Sequence, residues 1–205
     1  RHSKSKLTQY SLLKKYEISF SEALNLIDYC KKKSIQICFS CFDEKSINIF
    51  KQNYIKYIKV PSGEINNISL LKKISKFKKK IILSVGNSTI NEINVAIKYL
   101  NHEFEKEIII LHCISDYPAK INEINLKSIS FLQKKFQNDI GLSDHSKSLI
   151  IPSLAVTLGA KIIEKHITDN NSLIGPDHKS SLNIKNFKTM VDHIRDTEDA
   201  LGIEN

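Results

Sequence analysis

Tryptophan is absent from this chain, and arginine, methionine and glycine are scarce: its 205 residues include two Arg, one Met and six Gly. No apolar run approaches the 18 or so residues that a membrane-spanning helix needs, and the first residues do not resemble a signal peptide. The apolar fraction of 41% and the charged fraction of 26% are ordinary for a globular protein. The composition therefore indicates a globular cytoplasmic protein without a membrane partner.

Cysteine is also too sparse for a disulfide framework, with four residues in the chain. Cys38 and Cys41 match the C-x-x-C spacing, but they lie in a strand-like run, where residues three apart point to opposite faces. They are therefore not expected to bind one metal ion together, and no helix begins after Cys38, as a thioredoxin-like site would need. Free structural thiols in a reducing cytoplasm are the favoured interpretation.

The net charge of +9 is carried almost entirely by lysine, since Arg1 and Arg195 are the only arginines. A basic chain can bind nucleic acid on charge alone. However, arginine makes the bidentate contacts to guanine and phosphate, and it is nearly missing here. The lysines are spread along the outer faces of predicted helices, which is typical of a solvated surface. We therefore expect no nucleic-acid partner.

Short apolar strand signals recur near residues 36, 58, 81, 108, 140 and 161, and a helix-length segment follows each. This alternation predicts a parallel α/β sheet. A doubly wound sheet fits the alternation too, but no Gly-x-Gly-x-x-Gly turn is present. The period of about 20 to 30 residues suits a (β/α)8 TIM barrel, which has eight units in about 250 residues. We predict a single incomplete TIM-barrel domain over residues 1–205, with about six of eight β/α units visible, roughly units 3 to 8.

Local start and stop signals mark several helices. Residues 19–22 and 89–92 match the capping box. A helix is predicted over residues 43–52, with Asp43 as its cap, and another over residues 7–16. The last predicted helix begins at Asn183 and stops at Gly202.

The segment from Gly141 to His166 is predicted to form the centre of an active site. It contains two strand signals, one ending at His145 and the other at His166, with a helix-length stretch between them. A right-handed crossover makes such strands parallel neighbours, so both histidines emerge at the same edge of the sheet. Neighbouring strands lie about 4.8 Å apart. Two imidazoles at that spacing can share one metal ion at about 2.1 Å.

Every predicted strand closes on polar residues, and in a TIM barrel that end of the strands carries the site. Serine hydroxyls with one lysine suit an anionic, phosphate-bearing ligand, and a carboxylate such as Glu64 can move protons. The polar residues at the strand ends are Ser40, Lys59, Ser62, Glu64, Ser84, His112, Ser115, Ser143, His145, Glu164 and His166.

Each of these residues also has a purely structural interpretation. A single serine at a strand end is usually turn chemistry, and a single histidine is more often a hydrogen-bonded core residue than a ligand. His112 is expected to be such a core residue. Lys165 could form a Schiff base, but strand alternation places it on the helix-facing side if His166 points inward.

Six motifs follow one another in order along the chain. They are Lys59-Val-Pro-Ser-Gly-Glu64, Ile82-Leu-Ser-Val-Gly86, Leu111-His-Cys-Ile-Ser-Asp-Tyr-Pro118, Gly141-Leu-Ser-Asp-His145, Ile163-Glu-Lys-His166 and Gly175-Pro-Asp-His-Lys179. Together they resemble the sialic acid (N-acetylneuraminate) synthase family, which includes legionaminic and pseudaminic acid synthases. The Pro-Ser-Gly-Glu form is more similar to the N-acetylneuraminate and legionaminate branches.

The resemblance implies a TIM-barrel enzyme that condenses phosphoenolpyruvate with an N-acylated mannosamine-type sugar to a nine-carbon 2-keto acid, releasing phosphate. It implies that His145 and His166 hold Mn²⁺ or Mg²⁺ and that Glu64 is the catalytic, proton-handling carboxylate. The phosphoenolpyruvate site it implies consists of Ser40, Lys59, Ser62, Ser84 and Ser143. The sugar site it implies consists of Ser115, Tyr117 and Asp177.

The sequence departs from the family pattern in places. Cys41 replaces a proline, and Val85 and Asn87 replace a threonine and a methionine in the loop after Ser84. The first two barrel strands and the C-terminal antifreeze-like domain, which in the family reaches over the partner's barrel, are not recognised. We expect a homodimer when the protein is full length and no activity from this chain alone. The alternatives are another metal-dependent barrel lyase or aldolase acting on sugar acids, and a non-catalytic truncated remnant.

Overall fold

Six parallel strands form one sheet in the structure, a computed structural model that describes residues 14–202. The strands follow one another in sequence order across the sheet and curl into a half-barrel with helices. The predicted α/β fold, a partial TIM barrel with six visible strands, is therefore confirmed. The strands are β1 (Phe39–Ser40), β2 (Tyr57–Val60), β3 (Lys80–Ser84), β4 (Ile108–Cys113), β5 (Ile140–Asp144) and β6 (Ile163–Lys165).

Helices connect these strands, and a second small sheet follows them. The helices are α1 (Phe20–Lys32), α2 (Ile68–Ile74), α3 (Ile90–Leu100), α4 (Lys127–Phe136), α5 (Ile151–Thr157) and α6 (Ile184–Leu201). Three short 3-10 helices cover Ser46–Lys51, Ser62–Glu64 and Ile121–Glu123. The small sheet pairs β7 (Ile167–Thr168) with β8 (Leu182–Asn183). This pairing holds the two ends of the intervening loop next to each other.

The predicted helix caps are confirmed. Ser19 and Glu22 form a capping box at the start of α1, and Thr89 and Glu92 form one at the start of α3. The side chain of Asn183 accepts a hydrogen bond from a backbone N–H in the first turn of α6. Each cap satisfies N–H groups that a helix terminus otherwise leaves unpaired. These local contacts fix where the chain leaves each loop.

One helix prediction is wrong. The segment 43–52 is not an α-helix but a 3-10 helix over Ser46–Lys51, preceded by the turn in which Asp43 accepts hydrogen bonds from two backbone N–H groups. Its buried Ile47 and Phe50 are three residues apart, which suits a helix of three residues per turn. Two isoleucines and an asparagine also lower its α-helix propensity. Most of the predicted helix over residues 7–16 lies outside the described residues.

The core is made of isoleucine and leucine between the sheet and its helices. All six residues of β4 are buried, as expected for a central strand of a parallel sheet covered on both faces. Burying each such aliphatic side chain stabilises the fold by about 1.5 to 3 kcal/mol. A smaller cluster around Met190 and Ile194 holds α6 against α5 and β6. Within residues 14–202, no helix combines the length and the apolar character needed to cross a bilayer.

The four cysteines are free thiols in this fold. Burial raises the pKa of Cys41 to about 12. Its thiol is therefore protonated at neutral pH, which makes it a poor nucleophile and a poor metal ligand.

Candidate active site

The carboxyl ends of the six strands surround a cavity of about 360 Å³. This is the end of the sheet where α/β barrels carry their sites. The family resemblance assigns a site role to eleven residues. Nine of them line the cavity; Glu64 and Asp177 do not. The residues that line the cavity are Ser40, Lys59, Pro61, Ser62, Gly63, Ser84, Cys113, Ser115, Tyr117, Ser143, His145, Glu164 and His166.

The register between β5 and β6 places polar residues opposite one another inside the cavity. Ser143 pairs with Glu164 in the sheet, and the Ser143 hydroxyl donates a hydrogen bond of 2.6 Å to Oε1 of Glu164. The other carboxylate oxygen of Glu164 is 3.5 Å from Nζ of Lys59, whose side chain is only 12% exposed. The three residues therefore join β2, β5 and β6 in one charged, hydrogen-bonded group.

The rings of His145 and His166 converge, as the sequence predicted from the two strand ends. Their centroids are 5.5 Å apart and their planes are perpendicular. Nδ1 of His145 lies 2.6 Å from the carbonyl oxygen of Ile114, so a neutral ring donates its proton there. The lone pair is then on Nε2, which lies 3.2 Å from the hydroxyl oxygen of Ser143. Burial lowers the pKa of His145, and a charge on His166 would lower it further. His145 is therefore neutral at pH 7.

Tyr117 packs against both rings. Its ring centroid is 4.2 Å from that of His145 and 5.6 Å from that of His166. Burial raises the pKa of the Tyr117 phenol, so the hydroxyl keeps its proton at neutral pH. The two histidines are thus held between β5, β6 and an aromatic side chain from the loop after β4.

Asp177 lies beside the cavity although it does not line it. Its Oδ2 is 3.8 Å from Nδ1 of His166. The loop that carries it is held by local hydrogen bonds: the backbone carbonyl of Asp177 accepts from the N–H groups of Ser180 and Ser181. The Asn171 amide donates to two further carbonyls of the same loop. The loop therefore has an ordered path from β7 to β8.

The two glutamates have different surroundings. Glu64 follows β2 in a 3-10 turn, and its carboxylate accepts a hydrogen bond of 2.7 Å from the Asn67 side chain outside the cavity. Its catalytic role stays a prediction. Glu164 is the carboxylate that lines the cavity, and sequence reasoning gave it no role. The signal was present, because Ser143 and Glu164 each stand two residues before a histidine on neighbouring strands.

Ser84 is a buried polar side chain without a partner. It is 3% exposed, lines the cavity, and its hydroxyl makes no hydrogen bond. Such a hydroxyl costs about 1 to 3 kcal/mol of stability. A polar ligand in the cavity would satisfy it.

The loop after β3 packs closely against residues that line the cavity. The N–H of Gly86 donates to the hydroxyl of Ser62 at 2.9 Å. A Cβ at Gly86 would lie 2.6 Å from the sulfur of Cys113 and 2.9 Å from the hydroxyl of Ser115. Glycine is therefore required there for the loop to approach these residues.

The structural roles predicted for Lys165 and His112 are confirmed. Lys165 lies on the helix-facing side of β6, where its ammonium contacts the carboxylate of Asp144 at 2.5 Å. Nε2 of His112 lies 2.6 Å from the carbonyl oxygen of Ile124, and burial lowers the pKa of this ring. Neither side chain lines the cavity.

His145 and His166 bring two nitrogen donors together in the cavity. Residues 14–202 contain no group of three or more His, Cys, Asp or Glu side chains arranged to hold a metal. The contact from His145 to the carbonyl of Ile114 is of the kind that metal-binding histidines usually make.

A larger cavity of about 550 Å³ lies elsewhere, at the β1 edge of the sheet. Its lining includes apolar side chains of α1 and of the 3-10 helix Ser46–Lys51. Among the residues that the structure describes, its lining contains no histidine and only Ser40 of the predicted site residues. The chemistry of the side chains, rather than size, therefore selects the cavity at the strand ends.

Comparison with known families and proteins shows the family of this chain. The model of the NeuB family matches residues 1–205. The chain belongs to the NeuB family. The resemblance inferred from the six motifs is therefore confirmed.

Two curated relatives of this NeuB-family chain are N,N'-diacetyllegionaminic acid synthases. The one from Campylobacter jejuni is 40% identical over 197 residues, which are 95% of this chain and 59% of the relative. The one from Legionella pneumophila is 38% identical over 199 residues, which are 95% of this chain and 56% of the relative. The chain thus spans somewhat more than half the length of these relatives.

Solved structures show the same architecture. An N-acetylneuraminic acid synthetase from Leptospira borgpetersenii, solved with citrate, superimposes with a TM-score of 0.89 at 34% identity, covering 95% of this chain and 68% of that one. A truncated 3-deoxy-D-arabino-heptulosonate 7-phosphate synthase from Thermotoga maritima superimposes with a TM-score of 0.80 at 19% identity, covering 92% and 75%. The second likeness shows the fold alone.

Proposed function

We propose that this NeuB-family chain is the part of a synthase that condenses phosphoenolpyruvate with an N-acylated mannosamine-type aldehyde sugar. The products are a sialic-acid-type 2-keto acid and inorganic phosphate. The observation that supports this best is the unpartnered Ser84 hydroxyl, buried among other serines in a cavity that also contains Lys59 and two converging histidines.

Phosphoenolpyruvate occupies the serine side of the cavity in this proposal. Lys59 supplies a positive charge with little exposure to solvent, and a charge-assisted hydrogen bond is stronger in such surroundings. Ser84 gains the partner that it lacks. Ser40, Ser62 and Ser143 complete the anion site, because all three residues line the same cavity.

His145 and His166 hold Mn²⁺ or Mg²⁺, which when bound polarises the aldehyde of the sugar. The neutral state of His145 and its contact with the Ile114 carbonyl suit a metal ligand. The sugar extends from the rings toward Ser115, Tyr117 and Asp177. Tyr117 offers it an apolar ring and a protonated hydroxyl, and Asp177 offers it a carboxylate acceptor.

The reaction forms a carbon–carbon bond and a carbon–oxygen bond to water, and it breaks the carbon–oxygen bond to phosphate. Carbon 3 of phosphoenolpyruvate attacks the aldehyde carbon, and the aldehyde oxygen takes up a proton to become a hydroxyl. Water adds at carbon 2, and phosphate leaves from the same carbon, so that a ketone remains. Glu164 holds a carboxylate beside Ser143 in the cavity and is placed to accept a proton from that water.

The experiment joins this chain to the flanking segments of the Campylobacter relative and supplies phosphoenolpyruvate and Mn²⁺ with N-acetylmannosamine or its 4-acetamido-6-deoxy relative. We expect inorganic phosphate and a 2-keto acid in equal amounts. Release of pyruvate from an added sialic-acid-type 2-keto acid, with no phosphate formed from phosphoenolpyruvate, would favour a barrel lyase or aldolase acting on sugar acids. An aggregated protein without a cooperative thermal transition would favour a non-catalytic remnant. The homodimer stays a prediction for the full-length protein.

A further inference from the structure

The reverse face of β5 and β6 carries a buried ion pair. The side chains of Asp144 and Lys165 are 1% and 2% exposed, and the ammonium lies 2.5 Å from Oδ2 of the carboxylate. The ammonium also donates to the carbonyl of Ser146. The other carboxylate oxygen of Asp144, Oδ1, accepts a hydrogen bond of 2.8 Å from the backbone N–H of Ser146. The pair therefore joins the two strand ends and the turn that follows β5.

Both members of the pair stand between residues of the active site. Asp144 follows Ser143 and precedes His145, and Lys165 follows Glu164 and precedes His166. In the sheet, Asp144 is directly opposite Lys165. Because side chains alternate between the faces of a strand, the ion pair lies behind the cavity while the Ser143–Glu164 hydrogen bond lies inside it.

The alignment of β6 depends on few other contacts. The strand has three residues, and in the described part of the chain it pairs only with β5, through three residue pairs. A slip of one residue in such a strand turns every side chain to the other face. A slip would also leave a buried charge without its partner, which is strongly unfavourable.

We propose that the Asp144–Lys165 pair is a positioning device that fixes the register of β6 against β5, so that His145 and His166 face each other. The role of the histidines as metal ligands rests on the proposed function. The effect of the ion pair on the register of β6 does not depend on that function.

Three variants test the proposal: Asp144→Asn, Lys165→Met and the two combined. Each single variant leaves one group of the buried pair unpaired and is expected to lower the melting temperature. The double variant removes both charges and is expected to regain much of the melting temperature. Its affinity for Mn²⁺, measured by calorimetry, is expected to stay about 10- to 100-fold below that of the unmodified chain. A double variant that binds Mn²⁺ like the unmodified chain would overturn the proposal.

Two controls separate positioning from general stability. Lys188→Met breaks an exposed ion pair with Asp192 on α6. It is expected to change neither the melting temperature nor the affinity for Mn²⁺. Lys165→Arg keeps the charge opposite Asp144 and is expected to retain Mn²⁺ binding. If the double variant does not fold, Lys165→Arg decides: loss of Mn²⁺ binding in a folded Lys165→Arg protein would contradict the proposal.

A crystal structure of the metal-free double variant distinguishes this proposal from the proposed function. We expect the ring centroids of His145 and His166 to move apart from their separation of 5.5 Å. An unchanged separation would overturn the positioning role, whatever the chain binds. An unmodified chain that does not bind Mn²⁺, together with separated rings in the variant, would refute the metal site and leave the positioning role standing.

Discussion

At the scale of single residues, Ser84 connects stability to ligand binding. Its hydroxyl is buried without a partner. Ser84→Ala is therefore expected to leave the free energy of unfolding unchanged or slightly higher. The variant is also expected to bind phosphoenolpyruvate about 10- to 100-fold more weakly, since a hydrogen bond to a charged group contributes about 1.5 to 3 kcal/mol. Calorimetric titration measures the affinity.

Ser153 is the matched control, because its hydroxyl is also buried without a partner but belongs to α5 and does not line the cavity. Ser153→Ala is expected to bind phosphoenolpyruvate like the unmodified chain. Equal affinities of the two variants would remove Ser84 from the ligand site.

The two glutamates can be distinguished kinetically. Glu164 lines the cavity, whereas Glu64 is hydrogen-bonded to Asn67 outside it. In the completed enzyme, Glu164→Gln is expected to lower kcat by about 10²- to 10⁴-fold, the usual contribution of a general acid or base, and Glu64→Gln to lower it less. A larger loss for Glu64→Gln would support the assignment made from the sequence.

His112 links folding stability to pH. Burial lowers the pKa of its ring in the folded chain below the ordinary value of 6.5. Above that pH the ring is neutral in both states. Below it, the unfolded chain binds a proton that the folded chain resists, so the free energy of unfolding falls as the pH falls. His112→Asn is expected to lose stability less steeply than the unmodified chain between about pH 7.5 and about pH 5.5 in urea titrations.

If His112→Asn keeps the pH dependence of the unmodified chain, burial does not lower the pKa of His112 in solution.

At the scale of secondary-structure elements, Gly141 shows how closely β5 packs between its neighbours. A Cβ at this position would lie 2.4 Å from the carbonyl oxygen of Ile162 and 2.5 Å from Cδ2 of Leu111. Gly141→Ala is expected to cost about 1 to 3 kcal/mol of unfolding free energy, the usual cost of overpacking. Urea denaturation measures it.

Gly63 offers a contrast, since a Cβ there would meet nothing within 4 Å. Gly63→Ala is expected to have the stability of the unmodified chain. Equal stability of Gly63→Ala and Gly141→Ala would show that the strands around Gly141 can move apart.

Element types were predictable where the signal is local. A capping box needs only Ser19 and Glu22, and both act within one turn of the chain. The 3-10 helix Ser46–Lys51 was not predictable as such, because the burial of Ile47 and Phe50 against the rest of the core decides its geometry. Glu164 was missed for the same reason: its partner Ser143 is 21 residues away and becomes a neighbour only through the sheet.

At the scale of the whole molecule, the alternation of strands and helices was enough to predict the parallel sheet. Each strand ends with polar residues, and the sequential strand order brings those ends together around one cavity. The sequence alone did not reveal which of these residues contact one another. Lys59 and Glu164, for instance, come from strands more than 100 residues apart and lie within 3.5 Å.

The central claim is that His145 and His166 form a metal site for the condensation. The most direct measurement is Mn²⁺-dependent phosphate release by the completed enzyme, compared between the unmodified protein, His145→Ala and the surface control His102→Ala. We expect His145→Ala to abolish the release while circular dichroism shows a folded protein, and His102→Ala to retain it. Undiminished Mn²⁺-dependent release by His145→Ala would contradict the claim.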